Sequence, residues 1–89
     1  MSDPSSIAGT IRVLAFAGAR ELVGSAEARL PLAHPCGVDQ LWRLLLDAWP
    51  GLAPFQTSIR LAVNGAYASG DTVVYEGDEV ALIPPVAGG

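Results

Sequence analysis

One long helical repeat sits among segments that alternate every second residue, and this order restricts the fold more than any other feature of the sequence. Val38, Leu41, Trp42, Leu45, Ala48 and Trp49 recur at the three- and four-residue intervals of one helix face. Asp39 falls in the first turn, where a carboxylate suits the helix dipole. Pro50-Gly51 stops the run. Ahead of it, residues 11–17 put Ile11, Val13 and Ala15 on one face of a strand and Arg12, Leu14 and Phe16 on the other. Residues 18–24 read as a turn or a single helical turn. Residues 26–32 then alternate Ala26, Ala28, Leu30 and Leu32 against Glu27, Arg29 and Pro31, as a half-buried strand does. So short a link predicts antiparallel pairing of the two strands.

His34-Pro35-Cys36-Gly37 breaks the alternation and reads as a loop. Beyond the helix, residues 59–63 read as a strand, Asn64-Gly65 as a tight turn and Tyr67 as a brief strand. Residues 72–75 form a short extended or irregular piece, and residues 79–83 the last strand, Val80 and Leu82 opposing Ala81 and Ile83. Strands, one helix, then strands predict a mixed sheet packed on one main helix, an α+β fold of β-grasp type. If Val13, Ala15, Val80 and Leu82 cover the helix, then Leu14, Phe16, Ala81 and Ile83 share the outer face. Two readings of that apolar patch stand: a partner surface, or a face covered by residues 1–10.

The sequence ends Pro84-Pro85-Val86-Ala87-Gly88-Gly89. Glycines add nothing to a core, and proline holds itself and its predecessor extended, so residues 84–89 read as a stiff stalk with a slim tip. Six residues span about 20 Å, enough to reach a pocket buried in another protein. The group delivered at such a tip is the Gly89 carboxylate. A carboxylate is a poor electrophile, so acyl chemistry there requires another protein to give it a leaving group first. The expected organisation is an arm over 1–10, a domain over 11–83 and a tail over 84–89.

Composition narrows the partners. At 89 residues the chain is one domain. Hydrophobic residues make up 51% of it, and a mean hydropathy of +0.39 is high enough to suggest apolar surface reserved for a partner. The apolar stretch over 41–49 is broken by Arg43 and Asp47 and is too short for a bilayer, and residues 1–10 lack the pattern of a secretory signal. No membrane and a cytoplasmic setting are therefore expected. A net charge of −4 disfavours nucleic acid. All five cations are arginine, so a P-loop, which needs lysine, is excluded, and any ATP must be bound by another chain. The missing lysine has two readings, nucleotide composition or avoidance of self-ligation through an activated tail. One cysteine and one histidine cannot build a structural zinc site. Cys36 reads as a packing residue, His34 as a loop residue without a role, and Trp42 and Trp49 as core. Arg20-Glu21 is a solvated pair or a polar rim beside the patch.

Phe16-Ala17-Gly18-Ala19-Arg20-Glu21-Leu22-Val23-Gly24, Ala62-Val63-Asn64, Gly77-Asp78-Glu79-Val80-Ala81 and the terminal hexapeptide together resemble the family of small, sulfur-carrying subunits of molybdopterin synthase. The likeness runs over residues 11–89, and the hexapeptide is its most specific part. It implies a ubiquitin-like β-grasp protein that binds no cofactor itself. An E1-like adenylyltransferase would use ATP to activate Gly89, which would become a thiocarboxylate. The tail would then enter the large catalytic subunit, in a heterotetramer, where its sulfur attacks the cyclic pyranopterin monophosphate precursor and builds the molybdopterin dithiolene. The chain would be a covalent sulfur donor, with Gly89 the reacting residue and the other catalytic groups on the large subunit. Phe16, Arg20, Ile83, Pro84, Pro85, Val86, Ala87 and Gly88 are the expected partner contacts, and Tyr67 joins them by the resemblance alone. Ile83 stands where the family often carries an aromatic residue. The rival readings are a carrier for thiamine thiazole or another thiolated product, a ubiquitin-like modifier of protein lysines, and a plain interaction module.

Overall fold

The computed structural model describes residues 9–85. Strand β1 (Gly9–Ala15) leads into the short helix α1 (Gly18–Val23), then β2 (Glu27–Leu32), the two-residue β3 (Cys36–Gly37) and the main helix α2 (Val38–Ala48). A 3₁₀ segment (Pro50–Phe55) follows, then β4 (Arg60–Val63), β5 (Ala66–Tyr67), β6 (Val73–Val74) and β7 (Glu79–Ile83). Five strands form one sheet in the order β2-β1-β7-β4-β5, with β1 and β7 parallel and the other neighbours antiparallel. This is the mixed sheet on one helix that the periodicity predicts, a β-grasp. The parallel pair is central, so the first strand and the last lie side by side.

Alternation decides which residues go inside. Ile11 and Val13 of β1, and Val80 and Leu82 of β7, are 0% exposed, as are Leu41 and Leu45 on the facing side of α2. Trp42 is buried with them, and Trp49 packs half-buried at the margin. Each fully buried leucine or isoleucine is worth about 1.5–3 kcal/mol of transfer free energy. The α2 stripe is therefore what fastens helix to sheet. Ala48, expected on that stripe, is exposed, and so is Ala26, which precedes the first residue of β2.

Three turns fix the frame. Asn64 and Gly65 both have positive φ, 52° and 87°, the geometry that lets a two-residue turn follow the twist of β4 and β5. The Asn64 side chain donates to Asp78 Oδ1 at 3.0 Å and accepts from the Glu79 backbone N–H at 2.9 Å. Asp78 Oδ2 accepts from the Tyr75 backbone N–H at 2.8 Å. The start of β7 is thus clamped to the β4–β5 turn. Gly24, with φ 93°, ends α1 in the left-handed conformation typical after a helix.

Two expectations are corrected. β1 begins at Gly9, so residues 9 and 10 belong to the sheet and not to an arm, and the Thr10 carbonyl accepts from Gly77 at 2.7 Å. The segment before α2 is not wholly loop: Cys36–Gly37 pairs antiparallel with Val73–Val74. Residues 1–8 lie outside the described residues.

Candidate functional site at the root of the tail

β7 delivers the chain to Pro84 and Pro85 from the middle of the sheet. Its neighbours hold it from both sides: Ala15 of β1 stands opposite Leu82, and Arg60 of β4 opposite Ile83. The Phe16 backbone N–H donates to the Leu82 carbonyl at 3.3 Å, which carries the pairing one step past the end of β1. Two rigid neighbours therefore aim the strand end, and proline then prevents the chain from curling back into the ladder.

On the outer face, register places Glu27, Leu14, Ala81, Ala62 and Tyr67 in one row across the sheet. Leu14, Phe16, Ala62, Tyr67, Ala81 and Ile83 line a depression of about 310 Å³. The expected patch is thus gathered, with one correction. Ala81 is only 8% exposed because its small side chain sits at the floor between taller neighbours. Phe16 at 44% and Tyr67 at 60% are the exposed anchors.

A second and larger depression, about 860 Å³ and mainly apolar, opens on the other side of the same root. Phe16, Leu22, Phe55, Ile59, Ile83 and Pro84 are among its lining residues. Phe16 and Ile83 serve both depressions and so form the ridge between them. Sequence reasoning missed Leu22 and Phe55. Phe55 ends a 3₁₀ segment in which it follows Trp49 and Leu52 at three-residue spacing, a signal that sequence reasoning did not use.

Ala17, just behind Phe16, has φ 49° and ψ −128°, a backbone region that L-residues other than glycine avoid. This bend turns the chain from β1 into α1 and leaves Phe16 outside. Arg20, expected at the rim, is exposed and its Nε donates to the Ala15 carbonyl at 3.3 Å, so it also braces the end of β1. Sequence reasoning did not single out Arg60, whose guanidinium stacks over Tyr67. Arg12, on the same face, bonds Glu79 at 2.8 Å and lies 3.5 Å from Glu27.

Cys36 is buried, and desolvation pushes its thiol above the ordinary value. That suits a packing residue and not a nucleophile. Among the described residues no three His, Cys, Asp or Glu side chains gather as metal ligands would, and no helix is long and apolar enough to cross a membrane. Val86, Ala87, Gly88 and Gly89 lie outside the described residues.

Comparison with known proteins agrees with this geometry. The family model described as the ThiS family matches residues 13–89. The molybdopterin synthase sulfur carrier subunit of Arabidopsis thaliana is 34% identical over 87 residues, covering 98% of this chain and 88% of that protein. The protein of the same name from Escherichia coli strain K12 is 38% identical over 81 residues, covering 89% of this chain and 99% of its own. Among solved structures, SAMP1 from Haloferax volcanii superimposes with a TM-score of 0.80 at 29% identity, over 91% of this chain and 100% of that one.

Proposed function

The chain belongs to the ThiS family, and from its likeness to proteins named molybdopterin synthase sulfur carrier subunit we propose that it is the sulfur carrier subunit of a molybdopterin synthase. The observation that carries this reading is the root of the tail. Pro84 and Pro85 leave a strand held on both sides; Ile83 just before them lines both apolar depressions and the two prolines line the larger, a surface by which a partner could grip the base of the tail.

The chemistry follows from the tip. The Gly89 carboxylate attacks the α-phosphorus of ATP on an activating, E1-like partner and expels pyrophosphate. A sulfur donor then displaces AMP, leaving a thiocarboxylate. Sulfur is the better nucleophile, and glycine presents it without steric cover. In the large synthase subunit the thiocarboxylate sulfur forms a C–S bond to the pyranopterin precursor, water then cleaves the acyl–sulfur bond and frees the Gly89 carboxylate, and two such deliveries supply both sulfurs of the dithiolene. This chain contributes position and cargo, while acid, base and substrate contacts come from the large subunit. The cytoplasm is the setting in which such a relay between three proteins would run.

Depth is what the tail controls, since a misplacement of about 1 Å from the productive position can cost about a hundredfold in rate. Deleting Gly89, or adding one residue after it, should abolish pterin sulfuration by the reconstituted synthase and leave the circular dichroism spectrum and melting temperature unchanged. Sulfuration at the normal rate by either variant would refute the reading.

A further inference from the structure

Asn64 is the only asparagine of the 89 residues, and a glycine follows it. Both residues of this turn are exposed, and space is open where a Cβ on Gly65 would stand, so water and base reach the pair. Asn64 also takes both main-chain groups of Glu79, the first residue of β7. Its backbone N–H donates to the Glu79 carbonyl at 2.8 Å, and its Oδ1 accepts from the Glu79 N–H at 2.9 Å. Its Nδ2 donates to Asp78 Oδ1 at 3.0 Å, while Asp78 Oδ2 is taken by the Tyr75 N–H at 2.8 Å. These partners fix which end of the amide is oxygen, since a main-chain N–H needs an acceptor and a carboxylate needs a donor. The clamp on β7 therefore requires a carboxamide at position 64.

We propose that Asn64 is a site of spontaneous deamidation whose product releases the start of β7. Base removes the Gly65 amide proton and the nitrogen attacks Asn64 Cγ: the N–C bond forms, the bond to Nδ2 breaks and ammonia leaves. Water then opens the cyclic imide to aspartate or isoaspartate. Glycine has no Cβ to obstruct the attack. The product keeps an acceptor for Glu79 but has lost the donor for Asp78, and two carboxylates then face each other at hydrogen-bond distance, where like charge disfavours ionising both. Isoaspartate also adds a backbone carbon to a turn whose two residues hold positive φ to match the twist of β4 and β5. β7 runs from this clamp to Pro84, so the modification acts on the strand that carries the root of the tail. The clamp slows its own loss, because Cγ turns toward Gly65 only after the side chain has let go of Asp78 and Glu79.

The proposal is independent of the sulfur-carrier reading and needs no partner to test. The full chain is held at mildly alkaline pH, folded and in concentrated urea, as wild type and Asp78→Asn. Intact mass follows the exchange of amide for acid, and peptide mapping locates it and separates aspartate from isoaspartate. The unfolded chain should convert fastest and the folded wild type slowest, at position 64 in both. Folded Asp78→Asn should convert about tenfold faster than folded wild type, the factor that loss of a hydrogen bond to a charged group implies. Asn64→Asp should melt about 5 °C below wild type. The double variant Asn64→Asp/Asp78→Asn moves the donor to position 78 and leaves an oxygen there for Tyr75, so it should recover most of that loss. A folded wild-type chain that keeps its encoded mass throughout, a rate that Asp78→Asn leaves unchanged, or a double variant that melts no higher than Asn64→Asp would each overturn the proposal.

Discussion

The guanidinium carbon of Arg60 lies 4.4 Å from the centroid of the Tyr67 ring, a diagonal contact across β4 and β5 on the outer face of the sheet. A cation over an aromatic face at an exposed site contributes about 0.5–1 kcal/mol. Tyr67→Ser should therefore lower domain stability by no more than about 1 kcal/mol, read by urea denaturation. The same variant should bind the large synthase subunit more weakly, because it removes one of the two most exposed aromatic anchors around the outer depression. Unchanged affinity would take Tyr67 out of the interface.

Phe16 forms the ridge between the two depressions and is 44% exposed, so its ring adds little to the domain's own core. Phe16→Asp should leave the fold intact and place an unpaired carboxylate in the contact, a desolvation cost of several kcal/mol. At about 1.4 kcal/mol per tenfold, affinity for the large subunit should fall roughly a hundredfold or more. Titration calorimetry against the isolated large subunit decides it.

Ala17 holds a positive φ that costs about 1–3 kcal/mol for a residue with a Cβ. Glycine there would lose about 0.5–1 kcal/mol of unfolded-state entropy. Strain relief is the larger effect. Ala17→Gly should raise stability by about 1 kcal/mol, seen as a higher melting temperature. A lower one would show that the bend is unstrained.

Cys36 is buried and its thiol is pushed upward by desolvation. Above the ordinary thiol value, near 8.5, the unfolded chain releases this proton while the folded chain keeps it. The contribution of Cys36 to stability is thus fully present below that pH and is lost as pH rises through the folded value. Relative to Cys36→Ala, the wild-type advantage in denaturant midpoint should shrink as pH rises above the ordinary thiol value. An advantage that grows would reverse the assignment.

Much of this structure is legible in the sequence because burial enforces period. Leu41 and Leu45 at helical spacing, and Val13 and Val80 at strand spacing, can each lie on only one face, and all four are fully buried. Asn64-Gly65 is legible for another reason, since few residues accept positive φ in succession. The Cys36–Gly37 strand was not, because two residues show no period and the partner Val73–Val74 is remote in sequence. At the site, Phe16 and Ile83 follow from alternation. Phe55 does not, since its place beside the root depends on how the 3₁₀ segment packs after the helix. The strain at Ala17 is likewise a property of the join between β1 and α1, which no side-chain pattern encodes.

The most direct test of the carrier role is the intact mass of the chain after co-expression with an E1-like adenylyltransferase and a sulfur source. The account predicts a species heavier by the replacement of one oxygen with one sulfur, located at Gly89 and absent from the Gly89 deletion. A chain that keeps its encoded mass, or that is recovered only as conjugates with other proteins, would contradict it.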